Sequence, residues 1–253
     1  MIEPWVFVAL TATAVLTGFI DAIAGGGGLI MMPALLFAGV PPIQALGTNK
    51  LQSMFGTATA FRNFSAKGLV DWRAHKGTVA LVFVGATIGV IAVQSIEPGV
   101  LKLVIPLLLI AVALYVIASP RMDDEESEPR IGTRGYGTVA GLIGAYDGFF
   151  GPGTGSFFTA TLVGLRGYGL TRATALTKLL NLTSNLASVL FFALGGKILW
   201  LLGGSMAAGA MLGGWLGSHT AMRFGAKVIR PLLVTLSLAL TARLLWTSFA
   251  GNA

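Results

Sequence analysis

The sequence predicts an all-α polytopic membrane protein built of two inverted-topology repeats of about five helical segments each, with glycine-broken helices. Three observations lead there. First, hydrophobic residues fill 55% of the 253 positions and charged residues only 11%, against about 25% charged in a soluble domain. Second, the later half of the chain repeats the earlier half. "GFIDAIAGGGG" (18–28) aligns with "GAYDGFFGPGT" (144–154) at an offset of 126, pairing Gly18 with Gly144, Asp21 with Asp147, Gly25 with Gly151 and Gly27 with Gly153. After a two-residue insertion the offset becomes 128 and holds from Ala45/Ala173 and Lys50/Lys178 through Trp72/Trp200 to Gly85/Gly213 and Gly89/Gly217. Third, with five crossings counted per half, eleven of the 17 basic residues fall on one side, which the positive-inside rule makes cytoplasmic. The loop at 67–76 is then cytoplasmic and its copy at 196–200 external, so the halves are inverted.

The elements follow in order from apolar runs of about 20 residues. The run at 4–23 has no small-residue cleavage site behind it and reads as a retained span. Gly25 to Gly28 should break the helix, because glycine is the residue that most weakens a helix interior short of proline. A short helix at 29–39 follows, then spans at 43–66, 77–95 and 98–118. "SPRMDDEESEPRIGTR" (119–134) is a polar, acidic cytoplasmic linker, expected to be mobile, between a first repeat (1–118) and a second (135–253). The second repeat carries segments at 135–150, 155–165, 171–195, 200–221 and 228–249. Trp5, Trp72, Trp200 and Trp246 sit near span ends, as interfacial anchors do.

Composition also narrows the chemistry. The absence of cysteine rules out disulfides and thiolate metal sites, and no cofactor or metal is expected. A net charge of +7 would suggest nucleic acid in a soluble chain. Here the basic residues anchor loops, so the partners expected are membrane lipid and a small anion, with no nucleic acid. No feature of the sequence sets an oligomeric state.

Inverted repeats with broken helices point to a secondary transporter with its site near the midplane, where the repeats meet. Asp21 and Asp147 are the only acidic residues inside spans. Each is either a proton carrier or a structural acceptor for N–H groups freed at the nearby break. Lys178, Asn181 and Asn185 recur at i, i+3, i+7, one helix face, and Lys50, Ser53 and Thr57 occupy the equivalent face of the first copy. One ammonium plus hydrogen-bond donors, presented twice, suits a compact oxyanion. Asn49 and Thr177 precede the two lysines. Helix N-termini after the breaks would add partial positive charge, with Gly25, Gly26, Gly27, Gly28, Gly151, Gly153 and Gly155 allowing close backbone approach. Gly85/Gly89 and Gly213/Gly217 are GxxxG pairs suited to tight helix packing. Arg62 is either a selectivity contact or a headgroup anchor. Ser156 lacks the glycine of a nucleophile elbow, and an aspartyl dyad is disfavoured because each Asp has its own break. An anion channel is the serious alternative.

At "GFIDAIAGGGGLIMMPALL", "GTNKLQSMFGTATAFRNF", "GLVDW" and the second-half copies "YDGFFGPGTGSFF" and "ATALTKLLNLTSN", the sequence resembles the sulfite exporter TauE/SafE family. The resemblance implies a bacterial inner-membrane transporter that exports a small sulfur-containing anion such as sulfite, thiosulfate or a sulfonate. The copies differ at Thr177, where the first has Asn49, and at Leu190, where it has Arg62.

Overall fold

The computed structural model describes residues 3–118 and 122–225, without the side chains of residues 113 and 116–118. The segment expected at 228–249, Trp246, Arg121, Lys227 and Arg230 lie outside the described residues. Within them the chain forms α1 (Pro4–Ala24), α2 (Gly27–Phe37), α3 (Pro42–Ala66), a 3-10 turn (Trp72–His75), α4 (Lys76–Gln94), α5 (Pro98–Ala118), α6 (Thr133–Phe149), α7 (Thr154–Arg166), α8 (Leu170–Leu194) and α9 (Trp200–Phe224). Each of the other segments expected from hydropathy coincides with one of these helices, ends differing by at most three residues. The two-residue insertion lengthens α7 to 13 residues against 11 in α2.

Local signals set the boundaries. Proline opens α1 and α3, where its missing N–H costs nothing. Gly25 ends α1 in the left-handed conformation (φ 75°), its N–H donating to the Asp21 carbonyl. Three helical stretches, Pro4–Ala24, Trp72–Gln94 and Leu170–Leu194, are long and apolar enough to cross a membrane by length and composition. The equally long α3 carries Asn49, Lys50, Gln52 and Thr57 buried inside the protein, which lowers its mean hydropathy.

Helices α3 and α8 form the centre, packed against each other and sheathed by α1 and α9 and by α4 and α6. Each half's fourth helix packs on the other half's first, and the contacts repeat with the halves exchanged. A Cβ placed on Gly18 would lie 2.6 Å from the Ala210 carbonyl oxygen, and one on Gly144 2.7 Å from that of Val82. Gly85 and Gly89 lie against the carbonyls of Gly141 and Ala145, and their copies Gly213 and Gly217 against those of Val15 and Phe19. Only glycine permits backbones this close, so the GxxxG pairs serve packing.

Helices α3 and α8 run antiparallel. Asn185 Nδ2 lies 3.5 Å from Thr57 Oγ1, while Lys197, just past α8, presses its carbonyl on Gly47, and the Leu199 N–H donates to Thr48 Oγ1 at 3.1 Å. The 195–199 loop therefore sits at the start of α3, and the 67–76 loop follows its far end. The 25 residues of α3 separate these loops by about 37 Å.

The linker differs from expectation. Residues 123–131 are docked along the α7–α8 loop: Ser127 N–H donates to Gly167 O at 2.8 Å, Arg130 N–H to Leu165 O at 3.0 Å, and Leu170 N–H to Asp123 O at 2.8 Å. Asp124 accepts from the Thr171 N–H at 2.7 Å, and Glu126 pairs with Arg172 at 2.9 Å. Gly167 and Gly169 make the approach possible, since a Cβ on either would collide with the linker backbone. Arg62 is exposed on the flank of α3, where it suits a headgroup anchor.

Candidate functional site

The two glycine breaks meet at the centre of the protein. A Cβ on Gly25 would lie 2.5 Å from the Gly155 backbone, and the Ser156 hydroxyl donates to the Ala24 carbonyl at 3.2 Å. That bond satisfies Ser156 structurally and leaves it no nucleophile's base. Past each break the chain folds back, Gly27 packing on the Thr17 carbonyl of α1. The N-termini of α2 and α7 are thereby turned toward one small space. At the second break Gly151 and Gly153 take φ of 97° and 83°, and the Tyr146 hydroxyl donates to the Pro152 carbonyl at 2.6 Å.

Around this space the charged residues pair across the halves. Lys50 of α3 contacts Asp147 of α6 at 2.7 Å, and Lys178 of α8 faces Asp21 of α1 at 3.5 Å. Lys178 also donates to the Asp21 backbone carbonyl, and the Ser184 hydroxyl to the Asp147 carboxylate. The aspartates, expected to accept freed N–H groups or to carry protons, thus accept from lysines of the opposite repeat. Among the described residues two cations and two anions cancel, leaving these pairs neutral together. Neither carboxylate is placed as in an aspartyl dyad, because each faces an ammonium. Removing one member of a buried pair strands the other charge, at a cost of about 3–5 kcal/mol.

The pairs are not equivalent. Lys50 and Asp147 are 3% and 5% exposed, whereas Lys178 is fully buried beside an Asp21 side chain that keeps 23% exposure. The cavity they surround is lined by Lys50, Asp147 and Asp21, by Asn49, Ser53 and Thr57 of α3, by Asn181 and Asn185 of α8, and by Gly25, Gly28, Gly151, Gly153, Thr154 and Gly155 of the breaks. Lys178, Thr177, Gly26 and Gly27 stand outside the lining. Thr177 is turned to Thr159, their hydroxyls 3.0 Å apart, and Lys178 lies behind the Asp21 backbone. Thr154, at the first turn of α7, and Ser184 escaped sequence reasoning. Thr154 was legible as part of "GPGTG", while nothing in the sequence marks Ser184 as a partner of Asp147.

The cavity is small, with about 20 Å³ of free space, enough for roughly one water and less than any sulfur oxyanion needs. Asn181 is 5% exposed, and its Oδ1 has no hydrogen-bond partner among the described residues. A buried amide oxygen without a partner costs about 1–3 kcal/mol.

Comparison with known proteins gives a consistent result. Residues 10–244 match the family model described as sulfite exporter TauE/SafE. The chain is 41% identical over 249 residues to the probable membrane transporter protein YfcA of Escherichia coli K12, covering 98% of this chain and 93% of that protein. It is 45% identical over 237 residues to the probable membrane transporter protein ORF9 of a Sinorhizobium species, covering 93% and 91% respectively. A probable membrane transporter protein of Haemophilus influenzae is 45% identical over 229 residues, with 90% of each chain covered. No solved structure matches the chain.

Proposed function

The chain belongs to the TauE/SafE family of membrane transporters, and from that premise we propose that it carries a small sulfur-containing oxyanion across the bacterial inner membrane by alternating access. The cargo is sulfite, thiosulfate or an organosulfonate, moved outward down its own gradient. The observation that carries this reading is the crossed pair of lysines at the point where both glycine breaks meet. An oxyanion there would find the Lys50 ammonium, the amides of Asn49, Asn181 and Asn185, the hydroxyls of Ser53, Thr57 and Thr154, and two helix N-termini. Lys178 acts from behind, fixing the Asp21 end of α1. The small size of the cavity supports a carrier over an anion channel, because about 20 Å³ leaves no anion-wide path through the site in this state.

The experiment is flux into liposomes holding the purified protein, offered sulfite, thiosulfate, sulfate and ethanesulfonate. Saturable uptake of one or more sulfur oxyanions is expected. Unitary currents in a planar bilayer would convert the carrier into a channel, and absence of flux for all four anions would remove the reading.

A further inference from the structure

Three charged side chains face the cavity, and they are not held alike. Asp147 is clamped by Lys50 at 2.7 Å and by the Ser184 hydroxyl. Lys50, the other member of that pair, also lines the cavity, its ammonium close to Gly151. Asp21 is held more loosely, 3.5 Å from Lys178, whose ammonium also donates to the backbone carbonyl of the same residue. Its carboxylate keeps 23% exposure against 5% for Asp147. Among the described residues the ionisable neighbours of Asp21 are thus Lys178 from α8, Lys50 from α3 and Asp147 from α6. The breaks and α7 bring only glycines and Thr154 to the lining, and α9 brings nothing.

An anion drawn to Lys50 therefore enters a confined site, neutral among the described residues, and lies beside the Asp21 carboxylate. Two like charges in such a place repel strongly, and one of them must be neutralised. We propose that Asp21 is the proton site of the transporter, so that each anion is carried together with one proton in the same direction. This rests on the reading of the cavity as the anion site. The balance is simple: the anion binds the Lys50 ammonium, a proton from solution binds an Asp21 carboxylate oxygen, and release reverses both. For a monovalent anion the charge of the site is the same empty and loaded. Export then depends on both gradients, an outward anion gradient driving it and an acidic exterior opposing it.

The test uses ethanesulfonate and thiosulfate, neither of which holds a proton of its own near neutral pH. With the full-length protein in liposomes, potential clamped by valinomycin and potassium, an inward anion gradient is expected to acidify the lumen by one proton per anion carried. In detergent, anion affinity is expected to weaken tenfold for each unit rise in pH, and that slope is expected to vanish in Asp21→Asn. Anion flux without lumen acidification overturns the coupling and leaves the transport reading standing, whereas no flux of any sulfur oxyanion removes the transport reading itself. An unchanged pH slope in a folded Asp21→Asn overturns the assignment to Asp21. Should that variant fail to fold, the proton-to-anion ratio of the unaltered protein decides alone.

Discussion

Lys50 is asked to do two things at once, to hold Asp147 in the apo site and to receive the anion. A unit charge at contact distance, in an effective dielectric near 20, is worth on the order of 2–4 kcal/mol. Lys50→Gln is therefore expected to weaken anion binding by roughly thirty-fold or more, measured by calorimetry on detergent-solubilised protein. The same change strands Asp147 inside the protein, so the melting temperature falls as well. Lys50→Gln combined with Asp147→Asn separates the two effects: stability is expected to recover while binding stays weak. Lys197→Gln, in the loop after α8, is expected to leave affinity unchanged. Wild-type affinity in Lys50→Gln would place the anion elsewhere.

At the scale of helices, stability rests on backbone contact between α4 and α6 and between α1 and α9. Gly85→Val drives a side chain into the Gly141 carbonyl, and overpacking of this kind costs about 1–3 kcal/mol or more. Gly204→Ala on α9, where nothing lies within 4 Å, is expected to hold or raise the melting temperature. Equal effects of the two changes would mean that the glycines of α4 are not packing devices. Hydropathy located every described helix, and the glycine runs located both breaks, because these signals are local. The offset between halves also revealed Lys50 with Lys178 and Asp21 with Asp147 as equivalent pairs. It could not reveal that each lysine serves the other repeat's aspartate, since Lys178 and Asp21 stand 157 positions apart and only the folded packing joins them. The linker was misread for a related reason. Five acidic residues within 123–128 look like a solvated tail, and the backbone bonds that dock them depend on Gly167 and Gly169 in a distant loop.

Across the whole molecule, the antiparallel run of α3 and α8 is the arrangement that two halves of opposite orientation in a bilayer would show. Single cysteines replacing Gly99 or Lys197 are expected to react with an impermeant maleimide added outside intact cells. Cysteines replacing Ala74 or Glu125 are expected to react only after the inner membrane is opened. Labelling of positions 74 and 197 from the same side would show the halves to be parallel. The crossed packing also has a temporal side. The partner of α1 is α9, which begins at Trp200, so at about 5–20 residues per second the ribosome needs on the order of ten to forty seconds to deliver it. During that interval the small-residue face of α1 and the carboxylate of Asp21 stand in the bilayer without their eventual neighbours. Synthesis of this protein is therefore a waiting problem, in which the first helix must be sheltered by lipid or by the insertion machinery until nearly the whole chain has been made.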